Sequence, residues 1–235
     1  MSTRPDITLY TAPTMNGWKT LIFLHEANVP YELVPVHFDK KEQKAPDYLA
    51  LNPNGRIPTI VDHANGDFAV FESGAILWYL AEKYGMFLPS DTMARSEVMQ
   101  WLMFQMGGVG PMMGQAMYFQ RIARPNGHDV PFAIKRYVDE SRRLLEVLDT
   151  RLDGREWLAA DSYTIADMAT YPWARSFFWA GVDILGLTNL AGWLERLDAR
   201  PAIQTAVQLP WPRPSVFGEG DTEAAAAANA ANYKE

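Results

Sequence analysis

Asn54-Gly55-Arg56-Ile57-Pro58-Thr59-Ile60, followed by Phe71-Glu72-Ser73-Gly74, is the stretch on which the fold of this chain turns. The first piece reads as a loop feeding a short β-branched strand that carries a proline near its start. The second reads as the end of a strand turning into a helix. Between them Ala64-Asn65-Gly66-Asp67 supplies a tight turn, because Asn-Gly tolerates the positive φ angles that hairpin turns need. Ile57 to Val61 and Phe68 to Phe71 form the hairpin, and an amphipathic helix runs over Gly74 to Tyr84. Pro58 blocks the strand edge, and a serine stands at the helix start. Together they make a small site that can pair with an extended, peptide-like ligand and hold its carboxylate.

Upstream, Ile7 to Tyr10 is a short strand, residues 12–17 a turn, and a helix runs from about Trp18 to Ala27 with Leu21, Leu24 and Ala27 on one face. Tyr31 to Val36 alternates as a strand, and Pro35 within it predicts an edge position. Gln43 to Leu51 is a short helical piece. The order βαβ, α, ββ, α predicts a small mixed α/β sheet with helices on its faces. Beyond Gly85-Met86-Phe87-Leu88-Pro89-Ser90 the pattern is helical only. Thr92 to Phe119 is long and apolar, with a kink or break expected at Gly107-Gly108-Val109-Gly110-Pro111. Val130 to Leu152 is a second helix. Thr164-Ile165-Ala166-Asp167 is a capping box that starts a third, running on toward Trp179. Leu190 to Ala199 and Ile203 to Val207 complete the bundle. The expected organisation is an α/β domain over 1–88, an all-α helical domain over 89–209, and an extended or disordered tail over 210–235, low in complexity at Ala224 to Ala231.

A chain of 235 residues with 48% hydrophobic residues can bury a large core, as one big domain or two small ones. The net charge of -7 and the lack of a long basic run argue against nucleic acid or an anionic membrane as partner. No run of about 18 apolar residues is present, so no transmembrane helix is expected. Met1-Ser2-Thr3-Arg4-Pro5-Asp6 lacks the apolar core of a signal peptide, which predicts a cytoplasmic protein. The chain has 0 cysteines. Disulfide scaffolds, thiolate zinc sites, protein-thiol nucleophiles and Cys-x-x-Cys redox pairs are therefore excluded, and any thiol chemistry needs a thiol that the protein binds. His25, His37, His63 and His128 show no paired metal spacing and read as surface or structural residues, with no metal expected.

A βαβαββα unit with a proline opening its third strand, Glu-Ser at the last helix start and an all-helical domain behind it resembles the glutathione transferase family, over nearly all of Ile7 to Val207. The finer pattern Ala12-Pro13-Thr14-x-Asn16-Gly17, with Phe71-Glu72-Ser73-Gly74-Ala75-Ile76-Leu77 and Gln100-Trp101-Leu102, is similar to one branch. That branch comprises the nu-class bacterial enzymes and the yeast nitrogen-regulator-like transferases, which work as glutathione-dependent disulfide reductases. The resemblance implies a thioredoxin-like N-terminal domain, an all-α C-terminal domain, a homodimer, and glutathione as co-substrate with a small disulfide or electrophile as partner.

It also implies roles residue by residue. The Ile57-Pro58 bond is expected to be cis, turning the Ile57 backbone toward the cysteinyl part of glutathione. Ser73 would donate its hydroxyl and N–H to the γ-glutamyl carboxylate, where the helix dipole adds about half a positive charge. Glu72 would accept from the γ-glutamyl amine; a plain N-cap is the competing explanation of this pair. A free thiol has a pKa near ~8.5, so the site must favour the thiolate. Thr14 and Asn16 are the catalytic candidates, because neutral donors around an anion lower its pKa by hydrogen bonding to the charged form. Capping of the first helix is compatible with that role. Tyr10 is the rival, since other transferase classes use a tyrosine near this strand's end; here it lies earlier and reads as core. Arg136 matches a position that contacts a glutathione carboxylate across a dimer interface. Gln43 and Arg56 are glycyl-end candidates, against an ordinary solvated role. Asp167 is a fold residue. The Met and aromatic residues from Met99 to Phe119 either wall a second-substrate pocket or belong to core or interface.

The expected reaction is thiol–disulfide exchange by bound glutathione, with no protein cysteine in the cycle. Conventional conjugation of electrophiles and peroxide reduction use the same thiolate. A non-enzymatic ligand-binding or regulatory protein on the same fold is the remaining alternative. The yeast regulator carries an Asn/Gln-rich extension, whereas six residues precede Ile7 here, which weighs against the regulatory role.

Overall fold

The computed structural model describes residues 4–213. The Ala224 to Ala231 segment lies outside the described residues. Ile7–Thr11 (β1), Met15–Glu26 (α1), Tyr31–Pro35 (β2), Pro46–Leu51 (α2), Thr59–Asp62 (β3), Phe68–Phe71 (β4) and Ser73–Tyr84 (α3) give the βαβαββα order of a thioredoxin-like domain. Thr92–Phe104 (α4), Gly110–Tyr118 (α5), Pro131–Arg151 (α6), Ile165–Arg175 (α7), Thr188–Asp198 (α8) and Pro201–Ala206 (α9) follow as helices alone. The sheet order is β2-β1-β3-β4, with β1 parallel to β2 and antiparallel to β3, and β3 antiparallel to β4. Pro35 sits on an edge strand, as its missing N–H requires.

Local chemistry shifts several boundaries. α1 starts at Met15 and not at Trp18, because Thr14 is extended (φ -133°, ψ 163°) and its Oγ1 accepts from the Gly17 N–H at 3.1 Å. β3 starts at Thr59, since Pro58 has no N–H to give to a ladder. The hairpin's positive φ angles fall at Gly66 (70°) and Asp67 (59°), one residue later than expected. The Asp62 carboxylate accepts from the Ala64 N–H at 3.1 Å and winds His63–Asn65 into a 3₁₀ turn first. The expected helix over Gln43 to Leu51 divides into a 3₁₀ turn, Glu42–Lys44, and α2, which Pro46 opens at its first position.

The chain forms two compact units. One comprises the described residues up to Leu88 together with Arg200–Pro212; the other is Pro89–Ala199. In the first, Ile7, Leu9, Ile60, Ile76, Leu77 and Leu80 are fully buried, as are the consecutive Leu21, Ile22, Phe23 and Leu24 of α1. One amphipathic face cannot bury four successive residues. α1 does so because α3 and α9 both pack on it. The 200–209 stretch, expected in the helical domain, therefore belongs with the first unit. Arg200 grips Glu26 with two hydrogen bonds of 2.6 and 2.8 Å. The Trp18 indole donates to the Leu209 carbonyl at 3.2 Å. Trp211 stacks on His37 with centroids 5.0 Å apart.

In the helical unit, α4 and α5 are joined through a wide π-type turn over Gln105–Val109, in which the Gly110 N–H reaches the Gln105 carbonyl. Pro111 cannot donate to the preceding turn, and the glycines around it let the helix open there. A Cβ at Gly110 or Gly114 would lie 3.5 or 3.4 Å from the Trp173 ring, so small residues admit that ring. Met113 and Met117 are core, whereas Met103 and Tyr118 are exposed. α7 is buried from Ile165 to Ala174. Asp167 lies at its start and accepts from Leu158 N–H (3.0 Å), Thr164 N–H (3.0 Å), Thr164 Oγ1 (3.2 Å) and Trp193 Nε1 (3.0 Å). Burial pushes its carboxyl up to about 6, against those four bonds, which favour the anion. Among the described residues, no helix is long and apolar enough to cross a membrane.

Candidate functional site

Strand register assembles the site. Tyr10 lies opposite Thr59, and Thr59 opposite Phe71. The chain leaves β1, enters β3 and leaves β4 at one end of the sheet. Ala12 to Gly17, Ile57-Pro58 and Glu72-Ser73 therefore emerge together, although as many as 61 residues separate them along the chain. The Ile57-Pro58 bond is cis.

The loop after β1 is drawn tight. The Thr14 N–H donates to the Ala12 carbonyl at 2.8 Å, and a Cβ on Gly17 would meet that carbonyl oxygen at 2.2 Å, so only glycine closes the turn. By accepting from the Gly17 N–H, the Thr14 hydroxyl keeps its own hydrogen for donation. Thr14 and Asn16 are half-buried at the positive end of α1. A hydroxyl, a carboxamide and a helix N-terminus form a set of neutral donors suited to an anion such as a thiolate. Tyr10 is half-buried in β1, with its ring edge-on to Tyr48 at 6.0 Å.

The segment leading to Pro58 is held from behind. The Arg56 carbonyl accepts from the Tyr48 hydroxyl at 2.6 Å and from Asn52 Nδ2 at 2.7 Å. The same Asn52 amide reaches Thr59 Oγ1 at 3.1 Å, and its Oδ1 accepts from the Asn54 N–H at 3.0 Å. Gly55 has φ 59°, and a Cβ there would meet the Gln43 carbonyl oxygen at 2.9 Å. This close approach ties Gln43 to the loop. Gln43 Oε1 is buried with no hydrogen-bond partner among the described residues. Arg56 is exposed.

At the start of α3, Glu72 has φ 69° and ψ 116° and makes no side-chain capping bond. A non-glycine residue there carries about 1–3 kcal/mol of backbone strain. The simple N-cap explanation of Glu72-Ser73 is thus not what the helix start shows. Ser73 is buried, and its Oγ accepts from Lys19 Nζ at 3.2 Å. Lys19 is fully buried on α1. Burial lowers its ammonium to about 7, opposed by the Glu72 carboxylate.

Arg136 lies in the other unit, exposed on α6. It borders a cavity of about 400 Å³ with Met112, Phe132, Tyr137 and Glu140. Its neighbours Lys135 and Arg143 are paired with Asp139 and Glu140 at 2.6 and 2.7 Å. The structure thus brings Thr14, Asn16, Ile57, Pro58, Glu72 and Ser73 to one sheet end, with Gln43 and Arg56 on the segment that feeds it. Lys19, Tyr48 and Asn52 were not among the sequence candidates. A lysine inside the apolar run Trp18 to Leu24 was the available signal for the first.

The glutathione S-transferase N-terminal domain matches residues 5–82, and the C-terminal domain of the same family matches residues 133–201. The chain is 43% identical over 205 residues to the disulfide-bond oxidoreductase YfcG of Escherichia coli, covering 86% of this chain and 94% of that one. A glutathione transferase structure from Burkholderia graminis, with two glutathione molecules bound per subunit, is 44% identical with a TM-score of 0.83, covering 88% of this chain and 89% of the other. One from Pseudomonas putida, with one glutathione disulfide bound per subunit, is 40% identical with a TM-score of 0.82, covering 89% and 94%. With both domains matched and such relatives aligned along nearly their whole length, this chain belongs to the glutathione S-transferase family.

Proposed function

We propose that this protein reduces disulfides with glutathione, supplying no thiol of its own. The observation that carries this reading is the donor-lined loop of Thr14 and Asn16 emerging beside cis Ile57-Pro58 and Glu72-Ser73, in a chain with 0 cysteines. The names of similar proteins support it: one is a disulfide-bond oxidoreductase, and others hold two glutathiones or one glutathione disulfide per subunit.

Glutathione lies extended along the sheet end, with its cysteinyl backbone on Ile57 beside Pro58. Its γ-glutamyl carboxylate is held by the Ser73 hydroxyl and N–H, its amine by Glu72, and its glycyl carboxylate by Gln43 and Arg56. Arg136 of a homodimer partner reaches a glutathione carboxylate. Thr14 and Asn16 donate to the sulfur and raise its thiolate fraction. That thiolate attacks one sulfur of a small disulfide, RSSR, forming GS–SR and releasing RS⁻. A second glutathione thiolate attacks the mixed disulfide, giving GSSG and another RS⁻. The two protons given up by the glutathione thiols go to the two RS⁻ groups. The cytoplasm, where glutathione is kept reduced, is the fitting compartment.

The test is reduction of hydroxyethyl disulfide by purified protein and reduced glutathione, expected well above the uncatalysed rate. Thr14→Ala with Asn16→Ala should lower kcat at least tenfold, while glutathione binding by calorimetry survives. Equal activity in the double variant removes these residues from the chemistry. Conjugation of an electrophile without any disulfide reduction replaces the reductase reading with a conventional transferase.

A further inference from the structure

We propose that Trp211 is the positioning residue of the glycyl subsite: stacked on His37, it braces the 37–44 loop that presents Gln43 to the glycyl carboxylate of glutathione. The inference deepens the function proposed above and rests on it for the ligand. Trp211 lies on the returning segment that belongs to the first unit, as His37 and Gln43 do. β2 runs parallel to β1 with Pro35 opposite Thr11, and the Val36 N–H donates to the Thr11 carbonyl at 2.8 Å. The loop that follows β2 therefore leaves the sheet at the end where Ala12 to Gly17, Ile57-Pro58 and Glu72-Ser73 emerge.

That loop is closed on His37. The His37 N–H donates to the Glu42 carboxylate at 2.7 Å, and the Glu42 N–H donates to the His37 carbonyl at 3.2 Å. Gln43 comes next in the chain, so where His37 sits, Gln43 follows. Phe38 is the one apolar side chain from His37 to Lys44, and so polar a stretch has little burial of its own to fix it. It is pinned from outside at both ends. At the far end Lys44 Nζ donates to the Asn54 carbonyl at 3.2 Å, and Gly55 lies against the Gln43 carbonyl. At the near end the Trp211 ring lies 11° from parallel to the His37 ring, with centroids 5.0 Å apart. The segment that brings the tryptophan is itself seated on α1, where the Trp18 indole donates to the Leu209 carbonyl at 3.2 Å. Trp211 stays 36% exposed, so it is a brace at the surface and not part of the core. Gln43 keeps its acceptor Oε1 buried, which leaves the donor end, Nε2, for a carboxylate.

The experiment compares two ligands by calorimetry at neutral pH. One is glutathione. The other is its glycyl monoethyl ester, which masks the glycyl carboxylate and keeps the rest. Trp211→Ala should weaken glutathione by about 3- to 10-fold, the range of one weakened hydrogen bond to a charged group. It should leave the ester within about twofold, and Trp211→Phe, which keeps a ring on His37, should restore most of the loss. In a Gln43→Ala background Trp211→Ala should cost markedly less, since the contact it positions is already gone. Equal losses for both ligands make Trp211 a support of the whole unit and overturn the proposal. Undiminished affinity for glutathione overturns it as well, and so does a Trp211→Phe variant as weak as Trp211→Ala. If Trp211→Ala fails to fold, Trp211→Leu is measured; failure of both shows that the ring serves folding, and the proposal falls. Wild-type protein that binds glutathione and the ester alike does not recognise the glycyl carboxylate, so the proposal falls while the glutathione reading stands. Wild-type protein that binds neither ligand overturns the glutathione reading itself, a result distinct from all of these.

Discussion

Burial has taken the Lys19 ammonium from its ordinary 10.5 to about 7, and this has a consequence in stability. The unfolded chain keeps this proton up to about pH 10.5, while the folded chain releases it near 7. Between those values the unfolded state binds more protons, so this group makes stability rise with pH across that window. Lys19→Met lacks the titration. Guanidinium unfolding of both proteins at about pH 7 and about pH 9.5 should show the variant's advantage at the lower pH shrinking at the higher one. Tyr31 and Tyr84, pushed by burial up to about 12 from 10.0, differ between the two states only from about pH 10 upward, above both measurements. An advantage that is the same at both values would mean that the lysine does not titrate there.

Loop and strand depend on each other at Asn52, whose amide bonds the Arg56 carbonyl and Thr59 Oγ1 while its own oxygen takes the Asn54 N–H. Asn52→Ala removes all three bonds and leaves the Tyr48 hydroxyl alone on the Arg56 carbonyl. The expected loss is about 1–3 kcal/mol of stability. Because the loop aims the Ile57 backbone, KM for glutathione should rise more than kcat falls. A variant with unchanged melting temperature and unchanged KM would show that Tyr48 and Gly55 suffice to hold the loop. This network also marks where sequence reading ends. Strand periodicity and Pro35 located β1 to β4 and the sheet edge, because those signals are local. The residue at which α1 starts hung on a hydrogen bond of Thr14, and the hairpin's positive φ angles hung on Asp62; both depend on side-chain geometry that composition does not show. Leu21 and Leu24 marked one buried face of α1. They could not reveal that Ile22 and Phe23 are buried as well, because that requires α3 and α9 to pack on the helix together, and α9 arrives nearly 180 residues later. Lys19 had a local signal in the apolar run around it, but its partner Ser73 lies 54 residues away, and only the fold brings the two together.

Long-range return of the chain governs the integrity of the first unit. After leaving at Leu88 the chain comes back at Arg200, and the segment to Pro212 completes that unit. Among its attachments are the two bonds from Arg200 to Glu26, the Trp18 indole on the Leu209 carbonyl, and Trp211 against His37. Glu26 has only 8% of its side chain exposed, against 33% for Arg200. Removing the arginine therefore strands a nearly buried carboxylate, which is costlier than losing a surface pair. Arg200→Met should lower stability by about 2–4 kcal/mol, scaled down from a fully buried pair by the exposure of the arginine. Glu26→Gln combined with Arg200→Met should recover part of that loss, because the stranded charge is gone. The observable is amide exchange in Pro201–Ala206 and Leu21 to Leu24, read together by mass spectrometry. If the return segment is part of the first unit's cooperative core, exchange rises in both stretches at once in the single variant. If it is only an appendage, exchange rises in α9 alone and α1 keeps its protection. The second result would confine the unit's stability to residues before Pro89. It would also leave the site end of the sheet, which α1 and α3 carry, independent of how the chain returns.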